Sequence, residues 1–426
     1  LVWSIFAEHV GFSVWLSWSV CAALLPKAGF DFTVAQLFLL VAVPNLVGSL
    51  LRLPYTFAVP RYGGRTWTVI SALLLVVPTA LFALAVQHPG TPYWAFVLIA
   101  ATAGLGGGNF ASSMANINHF YPAHRKGLAL GLNAAGGNLG VAVLQLGLPL
   151  VVLAGGVLHL ELAGYLYAGL AVLAAVAAYL RMDNLSSART HATETIPVLR
   201  HRHTWVISLL YVGSFGSFIG YSAAMPLLIR LNFWVPSPAP HGTGVDFASY
   251  AFLGALVGSL TRPAGGWLAD RYGGARVTAA TFGVMIVGTV GVLSALSRVA
   301  PNPGQDPHVA AANQAIFPWF LAAFLVVFAA TGVANGSTFR MIPSIWKHDA
   351  GQASAVIGIA SAVGAIGGFA IPLAFGAPWV DDPFSAVRTA FGVFAGGYVV
   401  CLVVTWASYI RKASVAKVAG LAEVRI

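Results

Sequence analysis

Two arginines stand at matching places of a segment that occurs twice in this 426-residue chain. Arg52 comes two residues after the run Leu-Val-Gly-Ser-Leu at 46–50, and Arg262 comes two residues after the same run 210 positions later. Both copies continue into Arg-Tyr-Gly-Gly, at 61–64 and 271–274. Because a cationic side chain inside an apolar helix is costly in lipid, the repetition predicts a functional pair.

The chemistry of this arginine pair, Arg52 and Arg262, suits a small planar oxyanion. Guanidinium is planar and permanently charged, and its fork of N–H donors matches a trigonal anion better than the ammonium of Lys does. The alternative is an ion pair at each helix end, facing the loop. Each arginine stands nine residues before its loop arginine, Arg61 or Arg271, which is about 13 Å along a helix. This depth favours a buried anion site.

One acidic residue also lies where charge is costly. Of the 12 Asp and Glu residues, Glu8 alone falls in the interior of an apolar span, since the others lie in loops or at span ends, and His9 follows it. Glu and His serve as proton relays inside membranes. The alternative is a helix-end pair near the cytoplasmic headgroups. Moving an anion inward against a negative interior costs about 2.3 kcal/mol per 100 mV, so uptake needs protons or an exchanged anion. The presence of Glu8 and His9 favours uptake coupled to protons over uptake by anion exchange.

The elements that must position these groups are membrane helices. The chain is 58% hydrophobic and only 8% charged, and its mean hydropathy is +0.82. This excludes a soluble globular domain and predicts an all-α integral membrane protein. Twelve apolar spans are long enough to cross a bilayer, at 2–25, 34–57, 67–86, 92–117, 127–154, 161–180, 204–229, 247–269, 277–297, 314–339, 351–376 and 385–410.

The duplication divides the chain into two six-helix bundles. We expect an N-terminal bundle over 1–181, a polar cytoplasmic linker over 182–203 and a C-terminal bundle over 204–426. Repeated halves with ionisable groups near the bilayer midplane are typical of secondary transporters, whose substrate site lies between the repeats.

The net charge of +10 has a topological explanation. Sixteen of the 22 basic residues fall on one side of the predicted bundle, four fall on the other, and the arginine pair completes the count. Lys and Arg collect in cytoplasmic loops, so both termini are expected inside and nucleic acid is not the expected partner. Cys21 and Cys401 lie in spans, which argues against a disulfide framework or metal site. The chain begins with Leu1, so a preceding segment is expected to be missing.

Several segments resemble a known family. They are Gly-Asn-Phe-Ala-Ser-Ser-Met at 108–114, Gly-Leu-Asn-Ala-Ala-Gly-Gly-Asn-Leu-Gly at 131–140, Gly-Ile-Ala-Ser-Ala-Val-Gly-Ala-Ile-Gly-Gly at 358–368, and shorter runs at 211–216 and 335–339. They are similar to segments of the nitrate/nitrite porters (NarK-type) of the major facilitator superfamily, over nearly the whole chain. The resemblance implies the major facilitator fold and makes the arginine pair the substrate arginines.

The resemblance also implies further substrate contacts, at Phe110, Gly137, Asn138, Tyr211, Phe215 and Gly364. From the residues alone, the aromatic side chains and the glycines are explained as helix packing, and the glycines as surfaces that slide during transport. Asn138 must find a partner in an apolar span, and the sequence leaves open whether this is the anion or another helix.

The loop after the eighth span resembles the superfamily's cytoplasmic gating motif, through Asp270 and Arg271. The matching loop of the first half keeps Arg61 but has Pro60 where the motif has its acid, which leaves that ion pair in doubt. A solvated, positively charged cytoplasmic loop is the alternative for both.

The sequence therefore predicts a proton-coupled nitrate importer of the bacterial inner membrane, working as a monomer by alternating access, with the lipid bilayer as its surroundings and no cofactor. A nitrate/nitrite antiporter, with nitrite as the second anion, is the alternative. A polytopic enzyme would need a nucleophile, paired carboxylates or a metal cluster, and no such set is found. An anion channel would not need the repeated midplane site.

Overall fold

A computed structural model describes residues 1–121, 123–185, 195–235, 243–302, 306–346, 350–377, 379–380 and 382–411. Within these ranges, twelve long helical segments make up most of the chain. They are α1 Val2–Ala28, α2 Val34–Tyr62, α3 Gly64–Val86, α4 Tyr93–Phe120, α5 Ala123–Val152, α6 Glu161–Arg181, α7 Arg202–Phe233, α8 Ala251–Tyr272, α9 Gly274–Leu296, α10 Pro307–Ile345, α11 Ala350–Phe375 and α12 Pro383–Ile410.

Eleven of these described segments are both long and apolar enough to cross a membrane. The remaining one, α8, has 22 residues but includes Arg262, Asp270 and Arg271, which lower its hydropathy. The all-helical membrane class predicted from the sequence is confirmed, and the twelve long helices agree with the twelve predicted spans, eleven of them by both length and hydropathy.

Shorter elements join or interrupt the long ones. A helix at Thr195–Leu199 precedes α7, and 3-10 turns occur at Ala154–Gly156 and Phe247–Ser249. Strands β1 (Trp234–Val235) and β2 (Thr243–Gly244) pair antiparallel after α7. Within α7, Val212–Gly216 forms a π-turn. π-turns are rare in proteins, and those that occur are often found at functional sites.

Several helix ends differ from the predicted spans, because hydropathy detects the lipid-length core of a helix and not its polar ends. α2 continues to Tyr62 and α10 runs from Pro307 to Ile345. α7 begins at Arg202, inside the predicted linker, and Thr195–Leu199 adds a helical turn there. Residues 186–194 of that linker lie outside the described residues.

The Arg-Tyr-Gly-Gly runs end α2 and α8 in the same way. Gly63 and Gly273 have φ of 85° and 90°, in the left-handed region that favours glycine. Each glycine stops one helix, and the next residue starts the following helix. Because consecutive spans cross the bundle in alternate directions, the turns after α2 and α8 lie on the same side. This side carries Arg61, Arg65, Arg271 and Arg276, and we call it the basic side.

The two halves, α1–α6 and α7–α12, meet chiefly where α2 packs against α11 and α5 packs against α8. Small residues bring helices close within each half as well. A Cβ at Gly107 of α4 would collide with the backbone of Gly48 in α2, and one at Gly336 of α10 would collide with the carbonyl of Arg262. Close backbone approach is the usual function of glycine between membrane helices.

Candidate functional site

The arginine pair is buried between the two halves. Arg52 of α2 is 0% exposed and Arg262 of α8 is 4% exposed. Neither side chain forms an ion pair with an acidic residue in the described part of the chain. Two buried cations without a bound counterion favour the binding of an anion.

Arg52 is held by backbone carbonyls from both halves. Its Nε donates to the carbonyl oxygen of Gly107 in α4 at 3.2 Å, and its Nη1 donates to that of Ser361 in α11 at 2.8 Å. Its Nη2 has no hydrogen-bond partner among the described residues. The guanidinium is thus oriented by two fixed acceptors and keeps one donor group free.

Arg262 has a different hydrogen-bond partner, and it also keeps one Nη donor group unused. Its Nη2 donates to the hydroxyl of Tyr211 in α7 at 3.1 Å, and its Nη1 has no partner among the described residues. Tyr211 is fully buried and immediately precedes the π-turn of α7. Each half therefore presents one buried guanidinium with one unused Nη group.

Two phenylalanines connect the arginines. The Phe110 and Phe215 ring centroids lie 4.7 and 4.8 Å from the Arg52 Cζ, and 5.8 and 6.0 Å from the Arg262 Cζ. The faces of aromatic rings attract cations at these distances. Since both guanidiniums contact the same two rings, the structure brings together the arginine pair, Phe110 and Phe215 as the resemblance implied.

Each guanidinium has a further ring of its own. The Trp15 centroid lies 5.3 Å from the Arg52 Cζ, and the Phe339 centroid lies 5.6 Å from the Arg262 Cζ. Phe339 also stacks on Tyr211 at 4.2 Å between centroids. The sequence did not identify Trp15 as a site residue. It identified Phe339 only as part of the segment at 335–339 that resembles the family.

Asn138 in α5 is 1% exposed, and neither atom of its amide has a partner among the described residues. Of the two roles that the sequence left open, a hydrogen bond to another helix is thus not seen among the described residues. An amide buried without a partner costs free energy, so a ligand that binds it is favoured.

Gly137 and Gly364 leave room for two functional side chains. A Cβ at Gly137 would collide with the side chain of Glu8, and a Cβ at Gly364 would collide with the ring of Tyr211. These glycines thus determine how closely Glu8 and Tyr211 can approach α5 and α11.

Glu8 lies inside the bundle rather than at a headgroup-facing helix end. It is 1% exposed, and it is the only buried acidic residue in the described part of the chain. Its Oε2 accepts a hydrogen bond from Asn133 Nδ2, which also lies 2.6 Å from Ser113 Oγ. Ser113 Oγ is 3.1 Å from Ser4 Oγ, near the start of α1. A chain of polar groups thus leads from Glu8 toward the basic side.

His9 faces away from this chain. Its Nδ1 lies 3.1 Å from the carbonyl oxygen of Gly136, and the ring is partly buried. Sequence reasoning grouped His9 with Glu8 and missed Asn133. The available signal was the spacing, because Asn133 stands four residues before Gly137 and so shares its helix face.

The residues of the predicted gating motif lie at the basic side. Asp270 pairs with Arg340 of α10, and both side chains are about half exposed. Arg271 lies over the Tyr272 ring at 5.4 Å, and Arg61 lies over the Tyr62 ring at 5.6 Å. The sequence did not identify Arg340 as the partner of Asp270.

The first half, which lacks the motif's acid, uses an amide at its turn. Asn184 Oδ1 accepts from the backbone N–H of Thr66 at 3.3 Å, and Asn184 Nδ2 donates to Thr66 Oγ1 at 2.9 Å. Among the described residues, the α2–α3 turn is therefore fixed by an amide and not by an ion pair, in contrast to the turn after α8.

The site is closed toward both sides of the bundle. Along α2 and α11, Phe38 packs on Phe375, Asn45 lies beside Gly368, and Thr56 lies beside Gly358. On the side opposite the basic side, Gln145 of α5 donates to the carbonyl of Ser222 in α7 at 2.7 Å. Access to the arginine pair therefore requires helices of the two halves to separate at one end.

Replacing Gly137 with Ala should slow transport by about tenfold or more, because the new Cβ displaces the Glu8 carboxyl group from Asn133. Gly147 in the same helix has open space around it, so Gly147→Ala is the matched control. Turnover in liposomes and the melting temperature would be measured for both variants. Equal turnover of the two variants would show that Gly137 has no such function.

Comparisons with known proteins agree with this geometry. The family model of the Major Facilitator Superfamily matches residues 10–372. The nitrate/nitrite transporter NarU of Escherichia coli (strain K12) is 36% identical over 95% of this chain and 89% of its own length. A probable nitrate/nitrite antiporter, NarK2 of Thermus thermophilus, is 37% identical over 83% of this chain and 80% of its own length.

The fold is shared with solved transporters of other substrates. The crystal structure of a D-xylose-proton symporter aligns with a TM-score of 0.66, covering 95% of this chain and 96% of that one at 15% identity. A match at this identity shows the fold alone. The superfamily consists of membrane transporters, so the chain is a transporter and not an enzyme. The chain belongs to the Major Facilitator Superfamily and, within it, to the nitrate/nitrite porter family.

Proposed function

We propose that this protein imports nitrate together with protons by alternating access. One observation carries the choice of substrate: two buried arginines share the Phe110 and Phe215 rings, and each keeps an Nη group without a partner among the described residues. Relatives that cover most of the chain are named nitrate/nitrite transporters, which supports nitrate, and nitrite as a second anion.

Nitrate fits the donors that the site leaves unused. Arg52 Nη2 and Arg262 Nη1 each offer charge-assisted hydrogen bonds. The family resemblance adds the Asn138 amide, which is also buried without a partner among the described residues, as a further donor group. Phe110 and Phe215 exclude water around the guanidiniums, and a low local dielectric strengthens their attraction for the anion. A planar anion that lies between two planar guanidinium groups can accept hydrogen bonds from both at once.

Transport then requires the contacts between the two halves to separate at one end of the bundle at a time. Opening on the side of Gln145 and Ser222 would admit nitrate, and opening near Thr56 and Gly358 would release it. We assign the basic side to the cytoplasm because Lys and Arg collect there, which places both termini inside. The protein is a multi-pass membrane protein, and we place it as a monomer in the bacterial inner membrane.

Glu8 supports the coupling to protons. It is a buried carboxyl group with a polar path, through Asn133, Ser113 and Ser4, toward the basic side. Moving one nitrate inward against the membrane potential costs about 2.3 kcal/mol per 100 mV, and protons that move with it offset this cost. An intramembrane acid that exchanges protons provides the coupling site.

Nitrate/nitrite exchange is the second candidate, and one observation favours it. Two fixed cations in a buried site are difficult to reorient without an anion, so a carrier that always returns with an anion avoids an empty, charged state. The Thermus thermophilus relative is named as a probable antiporter.

Purified protein in liposomes separates the two candidates. For import with protons, an inward proton gradient should drive nitrate accumulation into liposomes that contain no anion substrate. For exchange, internal nitrite should be required and the pH gradient should have no effect. Accumulation only with internal nitrite would contradict the proposed coupling, and a lack of nitrate uptake under both conditions would contradict the substrate.

A further inference from the structure

The repeat relates Glu8 to Tyr211. A Cβ at Gly48 would collide with Trp15, and one at the repeated Gly258 would collide with Phe218, which lies 203 residues after Trp15. In the same way, Gly137 faces Glu8 and Gly364 faces Tyr211, again 203 residues later. Glu8 therefore has in the first half the position that Tyr211 has in the second.

The two halves use this position differently. Tyr211 hydrogen-bonds to the arginine of its own half, Arg262. Glu8 does not contact its own arginine in this structure, because its carboxylate turns to Asn133 while Arg52 donates to two carbonyls. Glu8 Oε1 and Arg52 Nη2 are both without partners among the described residues. One unused acceptor and one unused donor thus belong to residues at positions that are in contact in the other half.

We propose that Glu8 is the internal counterion of Arg52, which pairs with it when the site holds no anion and is displaced when nitrate binds. This inference rests on the proposed function, since it takes the arginine pair as the nitrate site. In the empty carrier, the pair would neutralise one of the two buried cations. In the loaded carrier, nitrate would take over Arg52, and the released carboxyl group would accept a proton.

Asn133 fits both states of Glu8. With the amide as it stands, Nδ2 donates to the carboxylate, and Oδ1 has no partner among the described residues. If the amide turns over, its oxygen accepts a hydrogen bond from a protonated Glu8, because an amide offers donors on one side and acceptors on the other. Asn133 therefore acts as a positioning residue that stabilises the released, protonated carboxyl group.

Few charged groups compete for Glu8. Arg52 and Arg262 lie within electrostatic range of its carboxylate, and Tyr211 is the nearby titratable group of α7. On its own helix, His9 is directed at the carbonyl of Gly136. From α4 and α5, the groups that contact Glu8 are the uncharged Ser113 and Asn133.

Nitrate binding to the purified full-length protein in detergent tests this pairing without a membrane or a gradient. Nitrate stays ionised between mildly acidic and alkaline pH, so any pH dependence belongs to the protein. The parent should bind nitrate more weakly as pH rises, because the ionised Glu8 competes for Arg52. Glu8→Gln should bind independently of pH, and at alkaline pH roughly tenfold more tightly than the parent, a size typical of coupled sites.

Two variants serve as controls. Tyr211→Phe, at the equivalent position, should weaken nitrate binding by the same factor at acidic and alkaline pH, since it removes a neutral donor. His9→Gln should keep the pH dependence of the parent. A parent affinity that is independent of pH, or a Glu8→Gln variant that keeps the parent's pH dependence, would overturn the counterion role alone. Absence of nitrate binding by the parent at every pH would overturn the proposed function as well.

Discussion

Replacing Arg52 or Arg262 with Lys should nearly abolish nitrate binding. Arg52 uses Nε and Nη1 to hold the carbonyls of Gly107 and Ser361 and keeps Nη2 for the anion. An ammonium group is a point charge and cannot make these three contacts in one plane. Loss of a charge-assisted contact costs about 2–3 kcal/mol, or roughly 30- to 150-fold in affinity at 1.4 kcal/mol per tenfold change.

The same loss of nitrate binding is expected for Arg262→Lys. Lysine lacks the two Nη groups, of which one donates to Tyr211 and the other is available to the anion. Isothermal titration of the purified variants with nitrate would measure the loss. Arg230→Lys is the matched control, because Arg230 is a partly buried arginine of α7 that bonds to the carbonyl of Ala23 and lies 5.0 Å from the Trp234 ring. Near-parental nitrate affinity of both pair variants would exclude the arginine pair as the anion site.

Replacing Glu8 with Gln should remove the acceleration of nitrate uptake by an inward proton gradient while nitrate/nitrite exchange continues. Glutamine can keep the contact with Asn133 but cannot carry a proton across, and exchange swaps one bound anion for another. A gradient of one pH unit provides about 1.4 kcal/mol for each coupled proton, or roughly tenfold in accumulation. The variant should accumulate no more nitrate with this gradient than without it.

Uptake of labelled nitrate into liposomes with and without the gradient would measure this difference. His9→Gln provides the comparison, since His9 is directed at Gly136 and away from the Glu8 carboxylate. If Glu8→Gln is still driven by a pH gradient as strongly as the parent, coupling does not pass through Glu8. Nitrate/nitrite exchange would then be the better description of the protein.

The sequence was sufficient for the class of protein and for the approximate number of spans, and it identified the residues that the structure brings together at the candidate site. Membrane helices are detectable from composition because each must bury an unbroken apolar length in lipid. The arginine pair was detectable for the opposite reason, since a cation in such a helix is costly and its repetition indicates a function. Phe110, Tyr211 and Phe215 were identified by resemblance, and the structure places all three at the arginines.

The sequence was less informative about partners. It indicated that Arg52 is buried, but not that Gly107 and Ser361 hold it, because a backbone carbonyl carries no sequence signal. It noted Asp270 without its partner Arg340, which lies 70 residues away. It paired Glu8 with His9 because they are adjacent, although adjacent residues of a helix point in different directions.

Only the tertiary structure decided which polar groups are satisfied and which are left free. Whether Arg52 Nη2, Arg262 Nη1, Glu8 Oε1 and the Asn138 amide have partners depends on how twelve helices pack, since helices distant in sequence supply the possible donors and acceptors. The repeat determined that the two halves resemble each other. Their packing determined that Tyr211 bonds to its arginine while Glu8 bonds to Asn133, because the two halves place different donors beside these two positions.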